Sequence, residues 1–242
     1  MATVPMFAVV LKPWLSWRGV FAVAGGAVLI VTLIFQLFVK VGRERGEPPT
    51  IGNIFPLLKL PSFWILMLFL GFALGSVQGI YMMIPTFMIS EVGFSPVFTN
   101  MVFGISRFVP VIALLTAGLI LDKIGIRRTI FAVMGLSGLS IVFLGLFSGR
   151  WLTLTIFFQP AIGALAVPAV LSALSSIGPP GSRNVALSMT LPIASFIASG
   201  GVPAFVGFMG DAVSFSFGFI LIGLFMIFLA CLTPFLRLNI AD

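Results

Sequence analysis

The sequence predicts an all-α membrane protein with seven membrane-crossing helices, and three observations predict it. The chain of 242 residues is 60% hydrophobic and only 8% charged, whereas soluble domains carry roughly 25% charged residues. Too little polar surface is available to coat a soluble fold. Apolar runs long enough to cross a bilayer, about 20 residues each, recur along the whole length. These runs are continuous and rich in Leu, Phe, Gly and Ala, which excludes a barrel of short alternating strands.

The first run spans about 19–39. The segment before it, "MATVPMFAVVLKPWLSW", lacks a basic start and a clear small-residue cleavage site, so it is not expected to be a removed signal peptide. Next comes the longest polar stretch, "KVGRERGEPPTIGNIFPLLKLP". Its four prolines forbid one continuous helix. It is expected to run along the membrane surface, which divides the chain into 1–39, a linker 40–61 and a six-helix region 62–242.

The second run covers about 62–90. Gly71, Gly75 and Gly79 form a stripe at spacing four, which suits close helix packing. Gln78 and Tyr81 follow on the same helix. The third run, about 97–121, holds Asn100 and Arg107, seven residues apart on one face. Arg107 is the one charged residue deep in a run. Ten residues at ~1.5 Å each place it roughly 15 Å into a core about 30 Å thick. A central arginine costs about 2.5–3.5 kcal/mol to insert, so it is expected to face protein or a watery cavity. Pro110, three residues on, is expected to bend the helix there. The remaining runs lie at about 129–148, 151–177, 184–209 and 215–236. Gln159, before Pro160, is the notable polar residue in the fifth.

Thirteen basic residues set the orientation. With the linker on the cytoplasmic side, Lys40, Arg43, Arg45, Lys59, Lys123, Arg127, Arg128, Arg183 and Arg237 lie inside. Lys12, Arg18 and Arg150 lie outside. Nine against three is the positive-inside pattern, and it places the linker and the C-terminus in the cytoplasm, in a prokaryotic plasma (inner) membrane.

The same bases, confined to short loops, argue against nucleic acid as a partner despite a net charge of +7. One cysteine, Cys231, and no histidine exclude a disulfide within the chain and leave no thiolate or imidazole metal site. No cofactor is expected, and no phosphate-binding glycine loop supports an ATP-driven pump. Glu91, Asp122, Asp211 and Asp242 sit at run ends or the terminus. No nucleophile–base pair is visible, which argues against an enzyme.

Between the third and fourth runs stands "GLILDKIGIRRTI". Gly118 lies four residues before Asp122 on one helix face, where another helix has room to approach. Gly125 permits a positive φ in the turn. "GLILDKIGIRR" resembles the signature cytoplasmic loop of the major facilitator superfamily of secondary transporters. The matching residues are Gly118, Asp122, Lys123, Gly125, Arg127 and Arg128, while Ile126 stands where the family often has another base. "SWRGVFAVAGG", "LLKLPSFWILM", "YMMIPTFMISEVGFSP", "GPPGSRNVALSM" and "GGVPAFVGFMGD" are similar, in order, to segments from the sixth helix of that family to the eleventh.

The resemblance implies helices six to twelve of a twelve-helix transporter: a C-terminal lobe of two inverted three-helix repeats plus one preceding helix. It implies that the substrate path lies between two lobes, and that this lobe works with a separate N-terminal lobe or a second copy of the chain. Arg107 then has two readings. In one it faces the cavity and binds a small organic anion, such as a monocarboxylate, as in similar carriers of the family. In the other it pairs with carbonyls or polar groups of neighbouring helices. Asn100, Gln78, Tyr81 and Gln159 are candidate lining residues or interhelical hydrogen-bond partners. With no acid or histidine at depth, any ion coupling falls to the partner lobe, the substrate or another chain. A truncated, non-transporting fragment or assembly partner is the alternative function.

Overall fold

A computed structural model describes residues 16–38, 54–178 and 182–236. Lys12, Lys40, Arg43, Arg45, Arg237 and Asp242, most of the linker, and 179–181 of the "GPPGSR" loop lie outside the described residues. The chain divides into two units, Met1–Pro48 and Pro49–Asp242. The first contributes one described helix, α1 (Trp17–Phe38). Twenty-two residues without a proline or a charge after Arg18 suit an uninterrupted span.

The second unit contains ten α-helices among the described residues: α2 (Ile54–Leu58), α3 (Pro61–Val77), α4 (Gly79–Ser90), α5 (Pro96–Ser106), α6 (Val109–Ile124), α7 (Ile126–Leu146), α8 (Gly149–Leu174), α9 (Arg183–Phe196), α10 (Val202–Ala212) and α11 (Phe215–Cys231). No strand occurs among them. Seven helical segments of the described residues are long and apolar enough to cross a membrane: Phe21–Phe38, Pro61–Ser90, Pro96–Ile124, Ile126–Leu146, Gly149–Leu174, Arg183–Ala212 and Phe215–Phe235.

Three of these spans are broken, where the runs read as continuous. The second breaks at Gln78, between α3 and α4. The third breaks at Arg107 and Phe108, between α5 and α6. There Pro110 lacks the N–H that would reach back one turn, and the chain crosses the gap by tighter bonds, Phe108 N–H to the Ile105 carbonyl at 3.1 Å and Val111 N–H to the Phe108 carbonyl at 3.2 Å. The sixth span holds a π-helical segment, Ile197–Gly201, between α9 and α10. The bend expected near Pro110 is therefore a full interruption, with Arg107 at its lip.

The spans of this unit pair in a repeating pattern. α3 packs on α8, and α7 on α11. α6 lies against α8 as α9 lies against α3, and α5 touches α8 as α10 touches α4. Residues 61–146 and 149–235 form two sets of three crossings that share these pairings, although α7 also packs closely on α8 with no equal counterpart between α3 and α11. An odd number of crossings makes the second set start from the opposite face, which is an inverted repeat. Glycine sets the closest approaches. A Cβ on Gly79 would stand 2.5 Å from the Ala198 carbonyl oxygen, and one on Gly71 2.9 Å from the Ile197 side chain, so the predicted stripe docks the second span on the π segment. Gly138 and Gly223 meet reciprocally between α7 and α11: each added Cβ would lie 2.6–2.7 Å from the other's carbonyl. The core is aromatic and aliphatic, with Phe63, Phe69, Tyr81, Phe87 and Phe219 fully buried.

Candidate functional site

The break in the third span decides how Arg107 is presented. Arg107 closes α5 and is partly exposed. Its guanidinium carbon lies 3.6 Å from the centroid of the Tyr81 ring and 5.0 Å from that of Phe103. Tyr81 and Phe103 are themselves stacked, with centroids 4.3 Å apart and planes 30° apart. A cation over an aromatic face is stabilised by the ring quadrupole, by about 2 kcal/mol where water is partly excluded. That contribution offsets much of the insertion cost of a midspan arginine.

Tyr81 is fixed so that its ring holds this position. It is fully buried, three residues past the break at Gln78. Its hydroxyl, the Ser106 hydroxyl and the Phe103 carbonyl form one hydrogen-bonded triangle, with the two hydroxyl oxygens 2.7 and 2.9 Å from that carbonyl and two protons shared over the three contacts. Two broken spans are thus joined at their breaks by a buried aromatic staple, with a cation on its surface. Gln78 and Asn100 are exposed, on the two spans that carry the staple. The third span also exposes Met101, Ile105, Phe108, Ile112 and Leu115.

Gln159 is elsewhere in the packing. It is fully buried in α8, and its amide nitrogen donates to the Ser76 carbonyl at 2.9 Å. Ser76 lies just before the break at Gln78, and Gln159 covers a carbonyl at that interruption, as irregular backbone at membrane depth requires. Its own Oε1 has no hydrogen-bond partner among the described residues.

The loop between α6 and α7 closes on Gly125, which has φ +85°. Asp122, Lys123, Arg127 and Arg128 are exposed there, and a Cβ on Gly118 would meet nothing within 4 Å. Arg127 reaches the end of the last span. Its Nε donates to the Thr233 carbonyl at 3.3 Å, and an Nη donates to the Pro234 carbonyl. At the other end of that span Glu91 accepts from the Phe215 and Ser216 N–H groups, at 2.6 and 3.2 Å. An acid therefore caps the N-terminus of α11, and a base bonds the short 3₁₀ turn Thr233–Phe235 that ends the same span, each matching the local sign of the helix dipole.

Sequence reasoning missed the stacking of Arg107 on Tyr81, the parts of Phe103 and Ser106, and the Glu91 cap. Spacing within one span was the only available signal. It placed Asn100 and Arg107 on one face, but it does not report which ring of another span lies beneath a cation.

Among curated proteins none matches the chain. A family model does: that of the Major Facilitator Superfamily matches residues 1–188. With the match over most of the length, seven apolar spans and an all-helical fold, the chain belongs to the Major Facilitator Superfamily of membrane transporters.

Proposed function

We propose that this chain is one lobe of a secondary transporter for a small organic anion such as a monocarboxylate, with Arg107 as the anion-binding group. The observation that carries the reading is the placement of Arg107: a cation at a midspan break, partly exposed, held by the ring of Tyr81. A ring engages the cation through its face. The in-plane fork of N–H donors matches a carboxylate in bidentate fashion. Asn100 and Gln78, both exposed, supply further amide groups on the same two spans. Gln159 takes a positioning role, through its bond to Ser76.

The uncovered polar side chains of Arg107, Gln78 and Asn100 favour a second lobe on these spans, because polar groups at membrane depth face protein or water rather than lipid. In this proposal that cover is a separate N-terminal lobe or a second copy of the chain. Alternating access then arises from one lobe rocking against the other about a site between them. The signature loop, the linker and the C-terminus face the cytoplasm, by the distribution of basic residues.

The test is uptake of labelled monocarboxylates into liposomes that contain the chain together with an N-terminal lobe or as a demonstrated dimer, with neutral analogues of equal size as the comparison. Saturable uptake of the acids, absent for the neutral analogues and lost in Arg107→Ala, is the expected result. Equal handling of acids and neutral analogues would remove the anion reading and leave the family membership untouched.

A further inference from the structure

We propose that the outer end of α8 carries a site for an anionic phospholipid, with Arg150 taking the phosphate and a pocket beside it taking the first part of an acyl chain. The site lies on the membrane face opposite the signature loop. α7 starts at that loop and crosses once, so Gly149 and Arg150 begin the return crossing from the far face.

A cavity of about 530 Å³ opens there, lined by Phe94, Phe98, Gly149, Arg150, Thr153 and Leu154. Phe94 and Phe98 form one wall, edge to face with centroids 5.1 Å apart. Leu154 and Thr153 form the other, about one turn, roughly 6 Å, deeper than Arg150 along the helix. Among the described residues Arg150 is the sole charged side chain in the lining. It is exposed at the second position of α8, so its head sits at the level where the span meets the headgroups. It rests 5.5 Å from the ring of Trp151, an aromatic residue of the type that anchors at this interface. Ser148 gives α8 no side-chain cap, so the first N–H groups of the helix add to the positive field.

The occupant follows from this arrangement. A soluble anion finds one arginine and an apolar cleft it cannot use. A zwitterionic lipid fills the cleft but brings a compensating cation. A lipid with a net negative headgroup satisfies both parts. One basic residue at a membrane surface contributes about 1 kcal/mol toward anionic lipid, which corresponds to about five-fold in apparent affinity.

Trp151 provides the readout. Its fluorescence, taken as the difference between the native and Trp151→Phe chains, is measured against acyl-brominated phosphatidylglycerol and phosphatidylcholine in mixed micelles of the full chain. The expected result is half-maximal quenching at an about five-fold lower mole fraction of phosphatidylglycerol. Arg150→Gln merges the two curves, Arg150→Lys keeps most of the difference, and high salt reduces it in the native chain. Glycerol phosphate in excess leaves the quenching in place. Equal quenching by the two lipids, a preference that survives Arg150→Gln, or displacement by glycerol phosphate would each overturn the proposal.

Discussion

Arg107 and Tyr81 divide two tasks between them. The phenol ring steadies a cation at membrane depth, and the phenol hydroxyl ties the fourth helix to the fifth through the Phe103 carbonyl. Tyr81→Phe keeps the ring and loses the hydroxyl. It is expected to lower thermal stability by about 1 kcal/mol and to leave anion uptake near native. Tyr81→Ala removes the ring as well, opens a cavity, and costs about 3–5 kcal/mol. At Arg107 the expectation reverses. Arg107→Lys retains charge but loses the planar fork, so anion uptake should fall roughly ten- to a hundred-fold with expression near normal. If uptake by Arg107→Lys matches the native chain while melting temperature drops, Arg107 is a packing residue and the binding role fails.

At the scale of elements, α11 is the clearest case of a helix fixed from outside itself. Its first and last turns carry no charge of their own, Ser214 caps it locally on the Phe217 N–H at 3.1 Å, and the charged side chains that bond the ends of this span come from distant parts of the chain. Glu91 belongs to the end of the second span and Arg127 to the start of the fourth. Glu91→Ala exposes the first N–H groups of α11 and is expected to cost about 0.5–2 kcal/mol, seen as a lower melting temperature in detergent. Glu91→Gln keeps an acceptor without the charge and should fall between the two. Glycines make a second element-level contrast. Gly79→Ala drives a methyl into the Ala198 carbonyl and should destabilise by about 1–3 kcal/mol. Gly118→Ala meets open space in α6, so the chain alone should be unaffected or gain up to about 1 kcal/mol of helix propensity.

For the whole molecule, the third span, α5 and α6, is the least buried of the six spans in the second unit. If a second lobe packs there, Gly118→Ala should weaken association with that lobe while sparing the chain by itself, because small residues permit close helix approach in lipid. Co-purification of the native and Gly118→Ala chains with an added N-terminal lobe measures this directly. Uptake follows the same logic. Saturable transport is expected only from preparations that contain two lobes, read from oligomeric state in the same liposomes. Robust uptake from a demonstrated monomer would sink the two-lobe proposal.

The sequence by itself determined the membrane character, the number of spans and the family. Those properties rest on local composition: long apolar runs bury their own backbone hydrogen bonds in lipid whatever their neighbours are. The loop from Gly118 to Arg128 was legible for a related reason, since its turn needs a glycine at φ +85° at one fixed position. Gly71, Gly75 and Gly79 were likewise readable as a docking stripe, because spacing four lies on one helix face. The breaks were only partly legible. Pro110 announced the one at Arg107, whereas no proline marks the one at Gln78. Which surface each polar residue meets was left to the tertiary structure. Gln159 and Gln78 look alike in sequence, yet one is fully buried on the Ser76 carbonyl and the other is exposed. Arg107 found an aromatic face 26 residues back, and Glu91 a helix start 124 residues on. Such partners are set by how spans cross, and a one-dimensional pattern of apolar residues does not encode the rotation of one helix against another.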